Sequence, residues 1–215
     1  MSLIQTVAPT VEPVALDSLK KHLRLSTAVT VEDELLNSYI AVARKQAENY
    51  THRQICHATF EMSLSLFPSS RIKLPRSPIS TSGGGALADA VVITYTDSSY
   101  AAQTLSATAY EVDVSGTIPM VYPSFNSSNE NAWTDVTLAN IPNVIKITWD
   151  AGYTTIAPTT AYSDTGVPNE FKQYIKLRAG TMYRYRETIT VDEYRRVPSD
   201  MHVGLLDAYI IEEII

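Results

Sequence analysis

The spacing of apolar residues changes twice along this 215-residue chain, and that double change limits its fold more than any other feature. Leu35, Leu36, Tyr39, Ile40, Ala43, Ala47 and Tyr50 recur at helical spacing. Thr30 stands where an N-cap would, with acids at 32–34 just after it. From Cys56 the period becomes two. In TFEMSLSLF, Phe60, Met62, Leu64 and Leu66 fall on one face and Glu61, Ser63 and Ser65 on the other, the pattern of a half-buried strand. RIKLP, VVITYTD, AYEVDV, PMVYP and VIKITWDAGY read as further strands, separated by Pro, Gly, Ser and Asn. TSGGGALADA interrupts them as a loop. Helical spacing returns only at Pro168, which suits a first helical position, and runs through residue 187 with Phe171, Tyr174, Ile175, Met182 and Tyr183 inward.

A short helix is expected at 16–25, where Leu16, Leu19 and Leu23 share a face and Asp17 sits in the first turn. Neither this segment nor the 168–187 helix can bury its stripe alone, so helices from both ends of the chain are expected to pack together. The predicted class is therefore α+β, a helical bundle interrupted by an inserted antiparallel β-rich domain. Residues 1–14 form an extended arm, 15–55 and 166–215 the bundle with a C-terminal tail, 56–155 the inserted domain, and 156–165 a Thr/Pro/Ser linker. Gly180 lies inside the 168–187 helix at a cost of about 1 kcal/mol relative to Ala, which implies close packing against a neighbouring helix. A last short helix is expected within PSDMHVGLLDAYIIEEII.

Charge bears on partners once it is located. The formal balance is −6, and the deficit lies in residues 77–145, which carry six acids (Asp89, Asp97, Glu111, Asp113, Glu130, Asp135) and no Lys or Arg. A segment without cations cannot neutralise phosphates, so DNA passing near it is repelled rather than gripped. Cys56 is the single cysteine, which rules out an internal disulfide framework. No apolar run reaches 18 residues, and MSLIQTVAPTVEP lacks the basic start and apolar core of a signal peptide. The reading is a protein made in cytoplasm, with no membrane partner.

The residues offer little chemistry. Cys56, His57 and His52 lie close together, but no second Cys/His pair completes a tetrahedral metal site. SGGGALADA lacks the Gly-Lys-Ser/Thr ending of a phosphate loop, and there is no Gly-x-Ser-x-Gly elbow. His22, His52, His57 and His202 fall on unrelated elements, and the acids of the β segment are scattered. No catalytic residue, cofactor or metal is expected.

The succession PVALDSLKKHLRL, EDELLNSYIAVARKQAENYTHRQI, IKLPRSPI, YTD, YEVD, ITWDAGY, VPNEFKQYIKL, MYRYRE and a late LL..Y resembles the head-to-tail connector (adaptor) family of tailed bacteriophages, in the branch with a β-domain inserted between helices. The likeness covers roughly residues 13–209, in order. The family's usual Thr-Gly-Arg after the long helix is Thr51-His52-Arg53 here, and the Gly-rich loop at 83–85 looks like an addition. The resemblance implies a homo-oligomeric ring, usually twelve-fold, docked under the portal protein in the virion neck between capsid and tail. The helices would build the ring and the terminal segments would reach neighbours. Such a ring extends the DNA channel without specific DNA binding and receives a tail-side stopper or tail terminator protein.

Two features are candidates for these contacts. Arg178, Arg184, Arg186, Arg195 and Arg196 cluster around the end of the last long helix, where they can pair with acids of an adjacent subunit or of the portal, a solvated face being the alternative. Leu205, Leu206, Tyr209, Ile210, Ile211, Ile214 and Ile215 make an apolar tail, expected to dock on a neighbour, with packing on its own subunit as the alternative. The rival reading is a carbohydrate- or receptor-binding module of a virion, using Tyr100, Tyr122, Phe125 and Trp133 in loops of the β domain.

Overall fold

The computed structural model describes residues 2–80, 90–124, 133, 136–154, 166–186 and 204–212. The chain divides into two compact units, Met1–Pro9 with His57–Ile156, and Thr10–Cys56 with Ala157–Ile215. The fold is mixed helix and antiparallel sheet.

In the first unit, strands β1 (Ser2–Val7), β2 (Ala58–Leu64), β4 (Val91–Thr96), β5 (Ala102–Thr104) and β8 (Ile145–Ala151) form one sheet in the order β1-β2-β8-β4-β5. Strands β3 (Ile72–Lys73), β6 (Tyr110–Asp113) and β7 (Met120–Pro123) form a second, in the order β3-β7-β6. Every pairing is antiparallel. The register aligns Phe60 with Trp149 and Met62 with Ile147, while Val91 and Ile93 meet the same two residues from the other side. One face of the sheet is thereby apolar through three neighbouring strands, the outcome that period-two alternation requires. Phe60 and Trp149 stack at 5.9 Å between ring centroids. Ile72, Tyr110 and Val121 from the second sheet, and Leu74 just after β3, join the same core.

Three details differ from the sequence reading. The alternation of β2 stops being a strand at Leu64, the last residue with a ladder partner on β8, so Leu66 is 74% exposed. Strand β5 gives no apolar signal because its three residues are all exposed. The opening arm is extended, and residues 2–7 of it are the edge strand β1, paired with β2.

The second unit holds helices α1 (Leu16–His22), α2 (Asp33–Thr51) and α3 (Asn169–Arg184), and α3 packs against both of the others. Leu36, Ile40, Ala43 and Ala47 of α2 are buried, as are Phe171, Tyr174, Ile175 and Ala179 of α3. Leu35, Tyr39, Met182 and Tyr183 are half-buried, and Tyr50 lies at the margin with 37% exposure. A Cβ built on Gly180 would stand 3.2 Å from Leu23 Cδ2, so the glycine does mark a close helix approach.

Helix ends account for the remaining corrections. α1 closes at His22 rather than at 25, because Arg24 turns left-handed (φ 59) while Leu25 N–H reaches the Lys20 carbonyl at 2.9 Å and Arg24 N–H the Lys21 carbonyl at 3.1 Å. Thr30 is not the N-cap of α2. That position belongs to Glu32, without a side-chain cap, and the Thr30 carbonyl instead accepts from Asp33 N–H at 3.1 Å in the preceding turn. Pro168 stands at the N-cap of α3 with an extended ψ of 143°, one residue before the helix. α3 ends at Arg184 rather than at 187. Among the described C-terminal residues there is no α-helix, only a 3-10 turn at Asp207–Tyr209 followed by extended backbone at Ile210. The Gly-rich loop at 83–85 and the linker at 156–165 lie outside the described residues.

Candidate functional site

The helical unit is held from within by a buried ionic network. Arg44 donates from Nε to Glu12 Oε2 at 2.8 Å and from Nη1 to Glu48 Oε1 at 3.0 Å. Glu48, fully buried, also accepts from Gln54 Nε2 at 2.8 Å and from the Ile55 N–H at 3.2 Å. Burial alone would favour loss of the Arg44 proton, but the hydrogen bond to Glu12 and the charges of Glu48 and Glu12 outweigh it, and the guanidinium pKa is raised. Burial pushes the neighbouring Cys56 thiol far up, so it is a neutral core group and not a thiolate ligand. Among the described residues no three His, Cys, Asp or Glu side chains gather as metal ligands.

Residues 204–212 form a clasp on this unit. Leu206 and Ile211 are buried in it, while Leu205, Tyr209 and Ile210 are half-buried. Ile211 N–H donates to the Thr51 carbonyl at 3.0 Å, and Arg53 Nε donates to the Tyr209 carbonyl at 2.7 Å. Tyr50 OH donates to Asp207 Oδ1 at 2.8 Å, and Tyr209 OH to Glu170 Oε2 at 3.0 Å. The Tyr209 ring lies 4.8 Å from that of Phe171. The side chains of Leu206 and Ile211 are therefore taken up inside their own unit. Ile214 and Ile215 lie outside the described residues.

The three described arginines of the expected cluster each have a different neighbour. Arg178 Nε donates to Gln46 Oε1 at 2.7 Å, tying α3 to α2. Arg186 donates to Glu32 and lies 4.7 Å over the Tyr183 ring, whose OH also donates to Glu32 at 2.6 Å. The hydrogen bonds from Tyr183 and then Arg186 hold the Glu32 carboxyl below its usual range. Arg184 sits 5.7 Å from the centroid of the Tyr185 ring. Arg195 and Arg196 lie outside the described residues. Sequence reasoning missed Glu32 as the partner of Arg186, since its place beside α2's first turn already explained an acid there.

In the β unit Asp97 and Asp113 accept hydrogen bonds from their own loops. Asp97 accepts from Ser99 Oγ at 2.6 Å, Gln103 Nε2 at 2.9 Å and Ala101 N–H at 3.0 Å, and these bonds, Ser99 foremost, lower its pKa to about 2. Asp113 accepts from Ser115 N–H at 2.8 Å. Asp89, Glu130 and Asp135 lie outside the described residues, as does Phe125. Trp133 is core, stacked on Phe67 at 5.6 Å with its indole N–H given to the Pro68 carbonyl at 3.0 Å. Tyr122 is half-buried and Tyr100 is 68% exposed. No helix among the described residues is long and apolar enough to cross a membrane.

Residues 13–111 match the family of phage gp6-like head-tail connector proteins. No curated protein matches the sequence significantly. Among solved structures, a chain from the neck of an empty gene transfer agent particle computed with C6 symmetry superposes with a TM-score of 0.69 at 19% identity, covering 100% of this chain and 98% of that one. A chain of the native gene transfer agent virion, and one of the native particle's neck computed with C12 symmetry, each give 0.67 at 17% identity with the same coverage. The family match takes in α1, α2 and the first half of the β unit, and the fold likeness spans the whole length. The match over residues 13–111 supports a head-tail connector family for this chain.

Proposed function

We propose that the protein works as a ring-forming subunit of a virion neck, docked beneath the portal protein, where the ring extends the DNA channel and offers a seat to a tail-side stopper or terminator. The observation that carries this reading is the connector-family match over residues 13–111, joined to a full-length fold likeness with neck chains of gene transfer agent particles computed with C6 and C12 symmetry. Twelve copies is the stoichiometry we assign. In this reading α1, α2 and α3 form the bundle that builds the ring.

The mechanism is mechanical and electrostatic. Each subunit contact is modest by itself, yet closing a ring makes every further contact intramolecular, and the assembly outlasts any single interface. Residues 77–145, without a cation, offer no sticky phosphate contacts to passing DNA. The reading asks for no turnover, and the family is one of structural virion proteins rather than enzymes. The carbohydrate- or receptor-binding alternative loses Trp133, which is core, and keeps Tyr100, which is exposed.

The test is to mix the purified protein with its portal protein and to image the complex alongside native mass measurement. A twelve-membered ring with a central hole, seated on the portal, is the expected result. A subunit that stays monomeric and fails to bind the portal would overturn the reading.

A further inference from the structure

A groove of about 560 Å³ runs between the start of α1 and the first two turns of α3. Pro13, Val14, Ala15 and Leu205 give it an apolar wall, and Lys172 and Lys176 line its α3 side. No side chain caps the amino end of α3, whose partial positive charge adds to that of the lysines. Glu170, the acid at this rim, accepts from Tyr209 OH at 3.0 Å. Such a groove suits an occupant that is both apolar and acidic. The end of this chain, Ile211-Glu212-Glu213-Ile214-Ile215, has that composition.

Residues 205–212 of the same chain lead from this groove to the far side of α3. The clasp begins at Leu205 on the groove's wall, crosses α3 at Phe171 and reaches the end of α2, where Ile211 meets Thr51. Glu212, the last described residue, is exposed there. The groove thus lies on the α1 side of α3, and the described part of the tail ends on the α2 side. Closed rings need two different, mutually complementary surfaces on every copy. We propose that residues 212–215 of one copy seat in the α1–α3 groove of the next copy around the ring. The proposal rests on the ring reading and names one of its contacts.

Charge swapping in the full-length chain tests it. Lys172→Glu with Lys176→Glu, and separately Glu212→Lys with Glu213→Lys, should each lower the ring population by about tenfold at matched concentration, the scale of two surface ion pairs turned repulsive. The four changes together should restore it, which also shows that the single-side variants fail by charge and not by misfolding. Circular dichroism and melting check the fold of each. Rings that persist within twofold in a folded single-side variant, or that fail to return in the combined one, would overturn the groove contact and leave the ring reading standing. So would a tail reversal that abolishes portal attachment while rings remain. If the wild-type chain forms no ring even on its portal, the ring reading falls first. The groove is then judged by titrating the acetylated peptide Ile-Glu-Glu-Ile-Ile into the full-length protein. Amide shifts at Lys172 and Lys176 that vanish in the lysine variant support the site, and their absence removes it.

Discussion

Ile211 donates its backbone N–H to the carbonyl of Thr51 at 3.0 Å, so the last turn of α2 is finished by a residue from the far end of the chain. Helix ends leave carbonyls that need partners, and here the partner brings a buried side chain with it. Ile211→Ala and Leu206→Ala should each cost about 2–4 kcal/mol in denaturant unfolding, the range for deleting buried aliphatic groups. Truncation after Glu212 removes neither group and should leave stability within about 0.5 kcal/mol of wild type, as surface changes do. A truncated chain that unfolds early would show that residues 213–215 belong to the subunit's own core.

Gly180 and Leu23 set a second test. The atom nearest a new Cβ is a methyl at the end of a flexible side chain, 3.2 Å away, and it has only to move by tenths of an ångström. Helix propensity favours Ala by about 1 kcal/mol, so Gly180→Ala should be neutral or slightly stabilising. Gly180→Leu drives three more carbons toward Leu23 and should cost about 1–3 kcal/mol. Equal thermal midpoints for the two variants would mean that the contact is not close in solution.

What could be read in advance followed from how local each cause is. α2 was legible because its stripe repeats through five turns, and β2 and β8 because Phe60, Met62, Ile147 and Trp149 alternate with polar residues on strands buried on one face. β5 was not, since an exposed three-residue edge has no period to show. Thr30 looked like an N-cap because its side chain is the right kind, but Lys20 decides that turn, donating to the Val29 carbonyl at 2.8 Å and pairing with Asp33. The tail's apolar run fits a helix or a clasp equally well, and the group that selects the clasp, the Thr51 carbonyl, is remote in sequence. Arg186 could be flagged as a cation in need of an acid, while its partner Glu32 could not be named for the same reason.

The Arg44 network makes a strong, asymmetric prediction. Removing the cation leaves the Glu48 carboxyl fully buried without its closest cation, with Gln54, the Ile55 N–H and Lys45, 3.8 Å away, among its remaining partners. Arg44→Met should therefore cost about 3–5 kcal/mol, as breaking a buried pair does. Adding Glu48→Gln removes the stranded charge and should recover a large part of the loss. A double variant no more stable than Arg44→Met would show that packing of the guanidinium, not charge, is what the network contributes.

Asp97 predicts a local pH response. Its pKa falls from an ordinary value of about 3.9 in the unfolded chain to about 2 in the fold, chiefly through the hydrogen bond from Ser99. A depressed folded pKa means that the stabilisation is complete above the unfolded value and is lost as pH falls through the folded one. The 97–101 turn should hold at pH 5 and loosen between about pH 4 and pH 2. Amide shifts of Ser99 and Ala101 followed by acid titration should move with a midpoint near the folded value. A midpoint near 4 would show that the carboxylate is not held by these donors.

His52 ends α2 in the left-handed conformation, with φ 56 and ψ 19, where the resemblance to the connector family implies the glycine of Thr-Gly-Arg. An L-residue with a Cβ pays about 1–2 kcal/mol there, while glycine adopts the same angles without steric cost. Against that gain, glycine adds backbone entropy to the unfolded chain and gives up the imidazole's own contacts. The terms do not cancel fully, because glycine is favoured at this position in helices generally. His52→Gly should raise stability by about 1 kcal/mol, and His52→Val, whose branched Cβ is the worst fit to positive φ, should lower it by a similar amount. Chemical denaturation of the three proteins gives the order directly, Gly above His above Val. If His52→Gly is instead the least stable of the three, the imidazole is needed where it stands, and the departure from Thr-Gly-Arg reflects a side-chain contact specific to this chain.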